Sequence, residues 1–176
     1  MADQAAAGGS ATPLRRAARI AVCGAGECDA ATYERARHVG RLLGAAGAVL
    51  LCGGLGGVME AACRGAQEAG GLTVGLLPGS EAGAANPYVD LPIATGLGPA
   101  RNVVLVLAAE AVIAIAGEAG TLSEIALALK AGRPVVGLGT WRLERGDGTP
   151  EEGVRPASSP AEAVALARLA VAERRP

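Results

Sequence analysis

Aromatic side chains are almost missing from this chain, which has no Phe, one Trp (Trp141) and two Tyr (Tyr33 and Tyr88) in 176 residues. A core made without them must come from Ala, Val, Leu, Ile and Gly, and small side chains let helices lie close on a sheet. Lysine is reduced to Lys130 and histidine to His38. Lys130 stands at an expected helix end, away from the glycine-rich turns, so a pyridoxal phosphate Schiff base and lysine decarboxylation are poor readings. His38, set among Arg35, Arg37 and Arg41, reads as part of a solvated helix face, and one His restricts Ser-His or Cys-His chemistry. Cys23, Cys28, Cys52 and Cys63 have neither the spacing of a secreted disulfide framework nor that of a zinc site. No metal site is expected, and the thiols read as small, reduced core residues. Cys23 and Cys52 end successive expected strands and are candidates for spatial neighbours.

Charge of one sign is also lacking. Sixteen basic residues oppose seventeen acidic ones, for a formal charge of −1, and no long run gives the electrostatic footprint of a nucleic-acid binder. No window reaches the roughly 18 apolar residues of a membrane span. The start of the chain lacks the charged n-region and the apolar stretch of about 7–15 residues of a signal peptide. The expectation is a cytoplasmic protein with neither nucleic acid nor membrane as a partner.

What is present is glycine, 27 residues of it, in a chain that is 51% hydrophobic. That length and apolar content suit one domain with a buried core. Residues 1–17 read as a disordered tail and 18–174 as the domain. Within it, short apolar runs at 19–23, 48–52, 73–77, 93–95, 111–116 and 134–138 predict strands. Helical periodicity predicts helices over 31–46, 58–69, 101–109, 122–131 and 160–173. Residues 80–92 are polar and punctuated by Gly and Pro, and read as a loop over the binding edge of the sheet. Near-continuous apolar strands imply burial on both faces. Alternating βα units then give an α/β fold, a doubly wound parallel sheet in a three-layer α/β/α, Rossmann-like arrangement.

Ligands of such a sheet lie beyond the carboxyl ends of its strands, where the glycine-rich turns fall. Gly24-Ala25-Gly26 follows the first strand. Cys52-Gly53-Gly54-Leu55-Gly56-Gly57-Val58-Met59-Glu60 follows the second, and is echoed by Ala116-Gly117-Glu118-Ala119-Gly120-Thr121-Leu122-Ser123-Glu124. Glycines let the backbone approach a ligand, and the helix N-terminus that follows offers free N–H groups to an anion. A small phosphorylated ligand is therefore the expected partner. Gly24-Ala25-Gly26 lacks the third glycine of a dinucleotide fingerprint and no clear acidic residue closes the second strand, so NAD is not expected. A Walker A lysine is likewise missing.

These two motifs, together with Gly96-Leu97-Gly98-Pro99-Ala100-Arg101-Asn102, resemble the LOG-like (SLOG) Rossmann superfamily over residues 19–169. The resemblance is nearest to the branch of molybdenum cofactor carrier proteins and DprA-related proteins once called "possible lysine decarboxylase". It implies two alternatives. Carriers of the branch bind the phosphorylated pterin cofactor without converting it. LOG enzymes are phosphoribohydrolases that cleave the N-glycosidic bond of nucleoside 5′-monophosphates. By the resemblance, Arg101 and Glu124 match the catalytic pair. Gly117, Gly120 and Thr121 match the phosphate turn, with Gly24, Gly26, Gly53, Gly54, Gly56, Gly57 and Asn102 as further cofactor-binding positions. A homodimer or homotetramer is implied as well.

The chain departs from the LOG motif at Glu118, which places a carboxylate where a glycine meets phosphate and where like charges repel. This favours the first alternative: binding of molybdenum cofactor, pterin phosphate or nucleoside monophosphate as a carrier or sensor, with no cofactor required for the fold. The hydrolase is the second. Local readings stand beside both. Thr121 and Glu124 have the spacing of a capping box, Glu60 that of a helix-dipole partner, Asn102 that of a cap or loop closure, and Trp141 suits a sheet edge or a subunit contact.

Overall fold

The computed structural model describes residues 16–175. Residues 1–15 of the expected tail lie outside the described residues. Ala17 is buried, and the Arg175 guanidinium donates to the carbonyls of Arg16 and Ala17 at 2.6 and 3.0 Å. These bonds tie Arg175 to the segment that leads into the first strand.

The element order is β1 (Arg19–Gly24), α1 (Ala30–Ala45), β2 (Val49–Cys52), α2 (Val58–Glu68), β3 (Leu72–Leu77), β4 (Leu91–Ala94), α3 (Arg101–Ala108), β5 (Ala111–Ile115), α4 (Ala119–Lys130), β6 (Val135–Leu138), β7 (Val154–Ala157) and α5 (Pro160–Arg174). The seven strands form one sheet of order β4-β3-β2-β1-β5-β6-β7, with every pairing parallel. The chain winds outward from β1 to β4, then returns to pair β5 with β1 and winds the other way. The order therefore reverses between β1 and β5, the crevice where such sheets bind ligands.

Period-2 alternation sends each strand's side chains into two cores. Ile20, Val22, Leu50, Cys52, Ile113 and Ile115 pack under α1, α2 and α5. Ala21, Cys23, Leu51, Val112 and Ala114 pack under α3 and α4. This two-sided burial is why the strands read as unbroken apolar runs. Aromatics are dispensable because the helices approach at backbone distance. A methyl at Gly40 of α1 would run into the Ala62 carbonyl of α2, and one at Gly65 of α2 into the Arg37 carbonyl of α1.

Three elements differ from the sequence expectation. β4 begins at Leu91 rather than residue 93, pinned because the Asp90 carboxylate accepts from the Thr73 backbone N–H at 2.9 Å and its hydroxyl at 2.9 Å. β7 was not expected, since Val-Arg-Pro-Ala lacks a strand pattern. It forms at the sheet edge, where a proline costs no ladder bond. Helix α4 begins at Ala119, three residues before its expected start, with Glu118 as its extended N-cap residue.

Candidate functional site

The turn after β5 opens beside the reversal point. Ala116 has φ 47° and is the one non-glycine residue with positive φ among the described residues, followed by Gly117 at φ 105°. Only glycine fits at 117, where a methyl would overlap the Thr121 side chain. Glu118 caps α4 without a side-chain hydrogen bond, and Glu118, Ala119 and Gly120 are exposed. The first helical amides have no partner inside a helix, so α4 presents them, with its positive dipole end, to the space above. Beside the turn lies a cleft of about 360 Å³ lined by Ala116, Gly117, Gly139, Thr140 and Trp141.

The capping-box reading of Thr121 and Glu124 does not hold, because α4 starts at Ala119 and places both inside the helix. Thr121 is buried near the turn. Glu124 is 6% exposed and Arg101, at the start of α3, 8%. Their Nη1 and Oε1 atoms stand 3.4 Å apart. The guanidinium lies against Gly53, where a methyl would meet both Nη atoms, and Arg101 Nε is buried without a hydrogen-bond partner. Burial raises the Glu124 pKa above the usual carboxylate value, against the pull of the Arg101 charge and the Cys23 thiol. Cys23 is itself pushed up, first by burial and then by Glu124. Asn102 is buried next to Arg101, and its side chain makes no hydrogen bond among the described residues.

The remaining glycines divide by what they touch. Gly24 packs on Val58 and the Ile115 carbonyl, Gly54 on Leu77, Gly56 on the Gly26 carbonyl, and Gly57 on Ala25 and Gly26. The turns after β1 and β2 therefore interlock, and the Ala25 carbonyl already accepts the first amide of α2, from Val58, at 3.0 Å. Gly26 and Gly120 have open space about them. Residues 80–92 are tied through Asn86 to the turn at the carboxyl end of β2. Asn86 donates its backbone N–H to the Gly54 carbonyl at 2.8 Å and its Nδ2 to the Leu55 carbonyl at 2.9 Å. Glu60 accepts from the Tyr33 hydroxyl at 3.1 Å.

Cys23 and Cys52 are not neighbours on one face, because each belongs to a different core layer. Cys52 Sγ instead lies 3.4 Å from Cys63 Sγ on α2. Of two residues that sequence reasoning placed elsewhere, one lines the cleft and the other lies against a lining residue. Trp141 is 40% exposed at its wall, with Nε1 donating to the Glu118 carbonyl at 3.3 Å. Arg35 leaves the helix face on which Arg37 pairs with Glu34 and Glu68. A methyl at Gly139 would stand 3.4 Å from its Nη1. The signal available for Trp141 was its position just past the carboxyl end of β6. Arg35 had none.

Among the described residues no helix is long and apolar enough to cross a membrane. No group of three or more His, Cys, Asp or Glu gathers as a metal site among them.

The sequence profile of the SLOG cluster4 family matches residues 17–164. An uncharacterised protein of Archaeoglobus fulgidus is 50% identical over 120 residues, which is 68% of this chain and 79% of that protein. The solved molybdenum cofactor binding protein of Rippkaea orientalis superposes with a TM-score of 0.79 at 38% identity, covering 88% of this chain and 97% of its own. The molybdenum cofactor carrier protein of Chlamydomonas reinhardtii does so with 0.79 at 36%, covering 89% and 99%.

Proposed function

This chain belongs to the SLOG cluster4 family, and on that premise we propose that it is a molybdenum cofactor carrier, binding the phosphorylated pterin without converting it. The observation that carries the reading is the contrast between an open α4 N-terminus and a closed acid–base pair. The amides beside the cleft are free to meet a phosphate. Glu124, which a glycosidic hydrolysis would need at the ligand, is buried and held against Arg101. The kinship with cofactor-binding proteins along almost nine-tenths of the chain supports the same ligand.

The residues fit such a cargo. Gly117, Gly120 and Thr121 shape the phosphate turn, and Gly24, Gly26, Gly53, Gly54, Gly56 and Gly57 bring the neighbouring backbone close beside it. Arg101 puts a positive charge with an unsatisfied Nε below that edge, and Asn102 has an uncommitted amide. Glu118 is exposed and makes no side-chain cap hydrogen bond, which leaves the first amides of α4 to the anion. Leu91, Ile93, Val103, Val104 and Leu107 are large apolar residues exposed on β4 and α3. We read this face as the contact of a cytoplasmic homodimer or homotetramer. Neither nucleic acid nor membrane belongs to this reading.

The test is co-elution. Purified protein mixed with cofactor released from a molybdoenzyme should retain molybdenum and pterin through gel filtration. It should release no free base from AMP. Base and ribose 5-phosphate release that disappears in Glu124→Gln would replace the carrier with the hydrolase.

A further inference from the structure

One wall of the cleft over Gly117 is aromatic in a chain that scarcely uses aromatics. Trp141 is the sole indole, and the two cores close on aliphatic and small residues without it. It stands 40% exposed instead. Two bonds fix the loop that carries it to the phosphate turn. Trp141 Nε1 donates to the Glu118 carbonyl at 3.3 Å, and the Thr140 hydroxyl donates to the Ala116 carbonyl at 2.5 Å. A side chain serving only to cover the sheet edge would not need its polar atom bonded across to the opposite turn. The bond orients the ring and leaves much of it open. A second depression of about 420 Å³ shares Gly139, Thr140 and Trp141 with the first and runs on past Leu143, Pro150 and Pro156. The indole therefore borders both.

Two charged residues without ion-pair partners among the described residues adjoin lining residues of the cleft, Glu118 next to Gly117 in sequence and Arg35 against Gly139. The Glu118 side chain is exposed and makes neither ion pair nor hydrogen bond among the described residues. Arg35 makes no ion pair among them either, and its guanidinium rests against Gly139. A carboxylate one residue from a phosphate turn is unfavourable unless it binds something other than the phosphate. A nearby cation offsets such a charge. Such a carboxylate has two acceptor oxygens side by side, which match two adjacent N–H donors. Those donors occur on the 2-amino-4-oxo edge of a pterin, as N3–H and the exocyclic amine.

We propose that Trp141 is the stacking platform for the pterin ring and that Glu118 reads its 2-amino-4-oxo edge, with Arg35 balancing the carboxylate beside the bound phosphate. This rests on the carrier reading and adds to it the residues that choose the ring. The departure of Glu118 from the LOG motif then becomes the specificity determinant. It exchanges a close phosphate contact for recognition of the base.

Isothermal titration of the full chain with 6-hydroxymethylpterin monophosphate and with its 2-oxo counterpart, 6-hydroxymethyllumazine monophosphate, tests this. The lumazine turns the exocyclic donor into an acceptor that faces Glu118. Wild type should prefer the pterin by about tenfold or more, the worth of one good bidentate pair. Glu118→Gln, whose amide sets one donor beside one acceptor, should lose the preference for the pterin and shift it toward the lumazine. Trp141→Leu should weaken both about 5- to 150-fold, the range for loss of one aromatic stack, and Trp141→Tyr should restore part of it. Equal wild-type affinity for the two pteridines, or unchanged affinity in Trp141→Leu, overturns the proposal. Cofactor retention in gel filtration without binding of either pteridine overturns it too, and leaves the carrier reading intact. Failure of both experiments removes the two together.

Discussion

The turn after β2 spends its polar groups on its own neighbours, whereas the turn after β5 keeps more of them free. Gly54 and Leu55 give their carbonyls to Asn86, Gly54 N–H meets Cys52 Sγ at 3.2 Å, and Ala25 caps the first amide of α2. Gly53 rests on the Arg101 guanidinium. At residues 116–121 the Ala116 N–H meets the Leu138 carbonyl at 3.2 Å, and the Thr140 and Trp141 bonds take the Ala116 and Glu118 carbonyls. Two glycine-rich turns of similar spelling are thus one braced turn and one more open turn. Sequence repetition here reports a shared backbone problem, the passage from a strand into a helix above a crowded sheet, rather than two equal ligand sites.

The sharpest way to break this contrast is at the brace. Arg101→Ala removes the partner of buried Glu124, and at neutral pH should cost about 3–5 kcal/mol in urea unfolding, the usual loss for half of a buried pair. A loss below about 1 kcal/mol would mean that the pair supports nothing. Next come the glycines themselves. Gly57→Ala meets both φ 61° and the backbone of Ala25 and Gly26, so strain and overpacking together should cost about 2–5 kcal/mol. Gly120→Ala, in open space within the first turn of α4, should instead gain up to about 1 kcal/mol through helix propensity. Opposite signs in thermal melts sustain the comparison, and equal responses end it.

The smallest expected effect is a pH dependence. Because burial makes the folded pKa of Glu124 the higher one, the native state holds the extra proton. That stabilising contribution is complete below the ordinary carboxylate range and is lost as pH rises through the folded value. Glu124→Gln does not titrate, so its stability relative to wild type should improve as pH rises across that window. A difference that is flat with pH would show that Glu124 is as easily ionised folded as unfolded.

Most of the fold was legible because buried parallel strands must be apolar on both faces, and residues such as 19–24 and 111–115 could satisfy nothing else. β7 was not, since Arg155 and Pro156 follow no alternation and an edge strand needs none. The start of α4 was misplaced because Thr121 and Glu124 imitate a capping box, while the actual cap residue, Glu118, offers no side-chain bond to recognise. The pairing of Arg101 with Glu124 brings together two helices on neighbouring crossovers, and motif spacing placed both residues at the same edge. Arg35 escaped because helix periodicity gives the side of a helix on which a residue sits, not how far along the sheet a long side chain reaches. Trp141 escaped because its role depends on one bond to a backbone atom 23 positions away.

The clasp of Arg175 on Arg16 and Ala17, reinforced by the Arg175–Glu110 pair at 2.7 Å, brings the two ends of the described chain together where β1 begins. The cleft opens where β1 ends. A circular permutation joining residue 16 to Arg175 would therefore be spliced at the pole opposite the cleft, away from the residues that line it.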